Sequence, residues 1–274
     1  MTKPVLPSTF LTELAAGDDP VGGLAQVDRA DTGVGPLAAV LWDMDGTIVD
    51  TEGYWMVAET ELVTAHGGNW TPQDAIGMVG IGLDDAAEIL KSRGVKLSTR
   101  ELIDWLTDRV LEQVGVAVPW RPGARELLAA LREAGIPTAL VTMSEHRMAE
   151  TIVSAIGFPA FTVIVGGDDV SAAKPDPEPY LHAARLLGVD ISQCIAIEDS
   201  VPGLTSAIAS GAVSLGVPAH VVLTPGPAHS LWPTLAGTSV EDLLSLFAER
   251  TSQRLHASTV RPEITPENSK DARS

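Results

Sequence analysis

Apolar positions in this chain follow two rhythms. Short unbroken runs read as buried strands: Ala38 to Trp42, Ile136 to Thr142, Phe161 to Val165, Gln193 to Ile197 and Ala212 to Val217. Between them the apolar residues recur at helical spacing. Gly123 to Ala134 is a predicted helix closed by Gly135, and Ser144 reads as the cap of a helix ending at Gly157. Asp176-Pro177 starts a helix that stops at Gly188, and a further helix runs to about Ser210. Val240 to Ala248 reads as the last helix. Strands alternating with helices predict a parallel, doubly wound sheet.

One stretch breaks that alternation. From about 53 to 118 every pattern is helical. Tyr54 to Ala65 sets Trp55, Met56, Leu62 and Val63 on one stripe, Thr71-Pro72-Gln73-Asp74 has the form of a helix start, and Asp84 to Lys91 carries Ala86, Ile89 and Leu90. Ser98 with Glu101 forms a capping box ahead of Leu102, Leu106 and Val110. The expected organisation is an N-terminal extension, 1–36, loosely ordered; an α/β core of 37–52 and 119–248; a small helical domain, 53–118, inserted after the first strand; and a polar, disordered tail, 249–274.

Composition narrows the function. A net charge of −18 argues against nucleic acid or anionic membrane as a partner, so any positive charge an anionic substrate needs must come from the site itself. A single cysteine, Cys194, excludes an intrachain disulfide and reads as a core residue; six scattered histidines give poor support to a transition-metal site. With no basic-then-apolar leader and no run of about 18 apolar residues, a cytoplasmic protein is expected, as monomer or homodimer.

In open parallel sheets ligands bind beyond the carboxyl ends of the strands, so the residues there carry the chemistry. The first strand ends in Asp43-Met44-Asp45-Gly46-Thr47, with two carboxylates at i and i+2, which share a face in extended backbone. The second ends in Thr142-Met143-Ser144, Lys174-Pro175 follows the third, and the fourth ends in Glu198-Asp199-Ser200. Each has an ordinary alternative: a β-branched strand residue, a solvated lysine, a helix cap. Together they supply what phosphoryl transfer needs. Asp43, Asp199 and a phosphate dianion bring about four negative charges together, of which a divalent cation and Lys174 would offset about three. Mg²⁺ suits such oxygen donors.

In the order of these four motifs the chain resembles the haloacid dehalogenase superfamily, and its helical insertion resembles the branch that holds β-phosphoglucomutase-like sugar-phosphate phosphatases and mutases. The likeness spans about residues 37 to 245 and implies a Rossmann-like doubly wound core with an inserted α-helical cap. It implies Asp43 as nucleophile, forming an aspartyl-phosphate, and Asp45 as the general acid and then the base. Mg²⁺ would be held by Asp43, the Asp45 carbonyl and Asp199, with Glu198 supporting through water. Thr47, Thr142, Met143 and Lys174 would bind the phosphoryl group. Because Asp45 and Asp199 are both present, dehalogenation is disfavoured.

Mutases of the branch typically place a His in the helix after the first motif, and Lys and Arg in the cap loop. This chain has Trp55, Val79 and Leu83 at those places. Hydrolysis of a small phosphorylated metabolite with one phosphate and a neutral or partly apolar leaving group is the reading this favours. Glu52, Trp55 and the loop with Val79, Gly80 and Leu83 are the candidate substrate contacts, though Trp55 could equally be a core aromatic. Trp70, Trp105 and Trp120 read as core or interdomain packing, and His146 and Arg147 as a solvated helix face. The linkers near 50–53 and 118–123 are expected hinges for closure. A phosphomutase, and a non-catalytic phosphate-dependent switch, remain the alternatives.

Overall fold

The computed structural model describes residues 35–259. Among these, β1 (Ala39–Trp42), β2 (Thr138–Val141), β3 (Val163–Val165), β4 (Cys194–Glu198), β5 (Val213–Gly216) and β6 (His229–Leu231) form one sheet. Its order is β3-β2-β1-β4-β5-β6 and every pair is parallel. This is a doubly wound order, with the chain crossing to one side of β1 and then to the other. Before β2 come α1 (Glu52–Ala65), α2 (Pro72–Ile76), α3 (Leu83–Ser92), α4 (Thr99–Val116) and α5 (Ala124–Glu133). After it come α6 (His146–Ile156), α7 (Glu178–Leu187), α8 (Val201–Ser210) and α9 (Val240–Thr259).

The strands read as continuous apolar runs because both faces are covered. Alternate residues enter different cores. Val40, Trp42, Leu140, Ile195 and Ile197 face a layer that includes α5, α6 and α9, while Ala39, Leu41, Ala139, Val141 and Ala196 face α7 and α8. Cys194 is buried on this second face, as a core residue should be.

The four helices between β1 and α5 form around the expected signals. The expected capping box of Ser98 with Glu101 opens α4, and the helix start at Thr71 also proves to be a capping box, with Asp74, at α2. Leu102, Leu106 and Val110 make the buried stripe of α4, against which α1 and α3 pack. The two connections to the sheet lie side by side: Val49 and Trp120 form an antiparallel bridge, and the Asp50 amide donates to the Pro119 carbonyl at 2.7 Å.

Four expectations need correction. The tail is helical as far as Thr259, because α9 continues past Ala248: Thr251 is buried, and the Arg254 guanidinium donates to the Gly211 and Ala212 carbonyls at 2.8 and 2.6 Å. Strand β6 has no apolar run to announce it; His229-Ser230-Leu231 is a short, half-buried edge strand specified by its pairing with β5. Ser144 does not cap α6, whose N-cap position is Glu145 and carries no side-chain cap bond. Trp105 is over a third exposed rather than packed in a core. The N-terminal extension up to residue 34 and residues 260–274 lie outside the described residues. No described helix is long and apolar enough to cross a membrane.

Candidate active site

The site lies where β1, β2 and β4 end. β1 stops because the chain turns sharply after Asp43: the amides of Thr47, Ile48 and Val49 all donate to the Met44 carbonyl. Gly46 makes this turn with φ +82°, and a Cβ there would lie 2.0 Å from an Asp199 carboxylate oxygen. Only glycine permits that approach.

The floor of the site is an ion-paired cluster. Lys174 is buried, and its ammonium donates to Asp43 Oδ1 at 2.8 Å, to the Val141 carbonyl at 2.8 Å and to Glu198 Oε1 at 2.7 Å. An ammonium has three N–H groups, so all its donors are used. Tyr180 donates to Glu198 Oε1 at 2.5 Å. Burial pushes the Asp43 carboxyl up to about 7 even though Lys174 opposes the rise, and burial with the charges of Asp43 and Glu198 holds Asp199 well above the usual carboxylate range. Burial alone would lower Lys174, but Asp43 and Glu198 hold it above the ordinary lysine value.

Carboxyls so raised are short of positive charge. One oxygen each of Asp43 and Asp199 is buried with no hydrogen-bond partner, and carboxylate oxygens of Asp43, Glu198 and Asp199 lie within 4.8 Å of one another. Orphaned, all-oxygen donors around a glycine cradle fit a hard divalent cation. Glu198 faces Lys174 and Tyr180, so its clearest part is to hold the lysine.

Asp45 is gripped from two sides. Oδ1 accepts from Trp55 Nε1 at 3.2 Å and from the Thr51 hydroxyl; Oδ2 accepts from Ser144 Oγ at 2.7 Å and Thr142 Oγ1 at 3.2 Å. This is why Ser144 is not a cap: its hydroxyl is spent on Asp45. It is also why Trp55 is more than a core aromatic, since its indole edge reaches the carboxylate.

Between these groups is a cavity of about 70 Å³. Of the expected residues, Asp43, Asp45, Glu52, Trp55, Gly80, Leu83, Thr142, Met143, Lys174 and Asp199 line it. Val79 and Thr47 do not: Val79 is buried while its neighbours Met78 and Ile81 reach the cavity, and Thr47 is buried with its hydroxyl unpartnered. Glu59 also lines the cavity and was not foreseen, although its place seven residues after Glu52 puts both on one helix face. His146 pairs with Asp169 and Arg147 with Glu145 and Asp108, away from the cavity.

A Rossmann-like sheet bearing an acidic, lysine-paired site at its switch point, under a helical insertion, defines a class of phosphoryl-transfer enzymes. Residues 37–211 match the model of the haloacid dehalogenase-like hydrolases, and the chain belongs to that family. It is similar to hexitol phosphatase B of Escherichia coli, at 28% identity over 187 residues, covering 67% of this chain and 84% of the relative. N-acetylmuramic acid 6-phosphate phosphatase of Pseudomonas aeruginosa is 33% identical over 185 residues, covering 66% and 81%. Among solved structures it resembles CbbY from Rhodobacter sphaeroides in complex with xylulose-(1,5)bisphosphate, with a TM-score of 0.68 and 27% identity over 76% of this chain and 99% of the other. The chain is a phosphoric monoester hydrolase of that family.

Proposed function

We propose that this phosphatase hydrolyses a small sugar, polyol or nucleoside phosphate, with Mg²⁺, through an aspartyl-phosphate on Asp43. The observation that carries the reading is the contrast between its two aspartates. Asp43 lies on the buried floor beside Lys174, whereas Asp45 is held at the cavity wall by four donors from α1, its preceding turn and the end of β2. Neighbouring carboxyls in different surroundings divide the work of nucleophile and acid/base.

Asp43 attacks the phosphorus and Asp45 gives its proton to the leaving oxygen. Asp45 then takes a proton from the water that attacks the phosphoenzyme, which frees phosphate and restores Asp43. Lys174 balances charge on Asp43 and the phosphoryl group, with Thr142 and the chain at Met143 holding phosphoryl oxygens. Asp43, Asp199 and the Asp45 carbonyl would hold Mg²⁺, which supplies charge neutralisation to the phosphoryl oxygens.

The cavity, at about 70 Å³, is well below the roughly 300–1,000 Å³ of typical small-molecule sites. We therefore read the helical insertion, 53–118, as a cap that swings on the paired linkers to admit substrate and closes to exclude water while the leaving group departs. Hydrolysis rather than mutase chemistry is supported by Trp55, which spends its polar edge on Asp45, and by the apolar Met78, Ile81 and Leu83 on the wall.

The test is phosphate release from a panel of phosphomonoesters, with Mg²⁺ and with EDTA, beside Asp43→Asn. Release that needs Mg²⁺ and disappears in the variant is expected. Release unaffected by Asp43→Asn would refute the mechanism.

A further inference from the structure

Helix α1 turns Glu52, Trp55 and Glu59 into the catalytic cavity. Their spacing, i, i+3 and i+7, is one face of the helix, and the two acids stand about 10 Å apart along its axis. Trp55 is engaged by Asp45. The acids are not so occupied. Glu52 is 7% exposed, and among the described residues no group hydrogen-bonds its carboxyl. Glu59 is 5% exposed and has one partner, Trp70 Nε1 at 3.2 Å. A carboxyl can take about four hydrogen bonds, so both have capacity to spare.

The rest of the wall bears on what could fill it. Met78, Ile81, Ala86 and Leu106 are apolar, and among the described residues lining the cavity the one cation is Lys174, whose three N–H groups are already used. Buried polar groups are ordinarily paired. Two under-used carboxyls in a substrate cavity point to a ligand that brings hydrogen-bond donors and no further negative charge.

Building on the phosphatase reading, we infer that Glu52 and Glu59 select the leaving group: they bind the hydroxyls of an uncharged polyhydroxylated chain and exclude a substrate with a second phosphate. The phosphoryl end lies against Asp43 and Lys174 and the scissile oxygen against Asp45. The carbon chain then runs along α1, its hydroxyls donating to the two carboxyls and its C–H faces resting on Met78 and Ile81. A second phosphate would be desolvated beside two acids with no free cation to meet it. Exclusion does not require the acids to be ionised, because a neutral carboxyl supplies no positive charge either. Nor does the fold enforce it, since the related CbbY is seen with a bisphosphate.

The experiment measures kcat/KM of the full-length protein, with Mg²⁺, on a hexitol monophosphate and on a hexose bisphosphate. Wild type, Glu52→Gln, Glu59→Gln and Glu59→Lys are compared. Wild type is expected to favour the monophosphate by about 100-fold or more, the scale on which a hydrogen-bonding site rejects a mismatched group. Each Gln variant should narrow that ratio by about tenfold, because its amide N–H groups can donate to a phosphate where a carboxyl mainly accepts, and Glu59→Lys further, by supplying the missing cation. If Glu59→Lys does not fold, the Gln variants decide. A ratio unchanged in both Gln variants would overturn the inference and leave the phosphatase reading standing. Failure of the wild type to hydrolyse any phosphomonoester would remove that reading and the inference with it.

Discussion

Glu59 should weaken the fold, and by an amount that depends on pH. Burial pushes its carboxyl from 4.5 up to about 7, with the Trp70 indole opposing the rise. Consider Glu59→Gln, which keeps an oxygen for Trp70 and removes the ionisation. Because the folded state holds the proton more tightly than the unfolded one, the wild type suffers no penalty below pH 4.5. The penalty grows as pH rises and is complete above about 7. At about 1.4 kcal/mol per pH unit, the interval makes ionised Glu59 cost about 3 kcal/mol at pH 8 and under about 1 kcal/mol at pH 5.

Urea unfolding of the two proteins at both pH values reads the difference directly. The variant should gain about 3 kcal/mol at pH 8, or about 6–12 °C in Tm for a chain of this size, and little at pH 5. A stability difference that is the same at both pH values would refute the reasoning, as would a wild type more stable than the variant at pH 8. A residue that costs stability while lining the catalytic cavity is what selection for function leaves behind.

Three further outcomes follow from the site. Lys174→Met leaves Asp43 and Glu198 buried without their counter-charge, so the metal-free protein should lose about 3–5 kcal/mol on unfolding and phosphatase activity should vanish; near-wild-type stability would contradict the buried pairing. Trp55→Phe keeps the ring but removes one donor from Asp45, and should lower kcat/KM about tenfold to a hundredfold, the range for a hydrogen bond to a charged group, with an altered pH profile. Gly46→Ala forces a Cβ into Asp199 at φ +82° and should cost about 1–2 kcal/mol of stability while weakening Mg²⁺ dependence; an unchanged Mg²⁺ titration would count against Asp199 as a ligand.

Much of this protein is written locally in its sequence. The apolar runs set five strands, since residues buried on both faces leave no room for polar alternation, and the capping boxes at Thr71 and Ser98 set two helix starts. The motif residues Asp43, Thr142, Lys174 and Asp199 could be read because each ends a strand or follows one, and a parallel sheet gathers those ends at one edge. Other features have no local signal. His229–Leu231 is a strand only because β5 offers it an edge, and α9 runs past Ala248 because Arg254 finds carbonyls 42 and 43 residues away.

The same holds for side-chain roles. A serine after a strand and before a helix looks like a cap, and only the approach of Asp45, 99 residues distant, gives Ser144 its partner. Glu59 looks like one more helix acid on a chain of net charge −18, until α1 packs against α4 and Glu59 joins the cavity wall. Sequence fixes which chemistry is available, through short-range pattern and residue type. Tertiary packing decides which of those groups lose water and meet, because burial and long-range contact belong to no single segment.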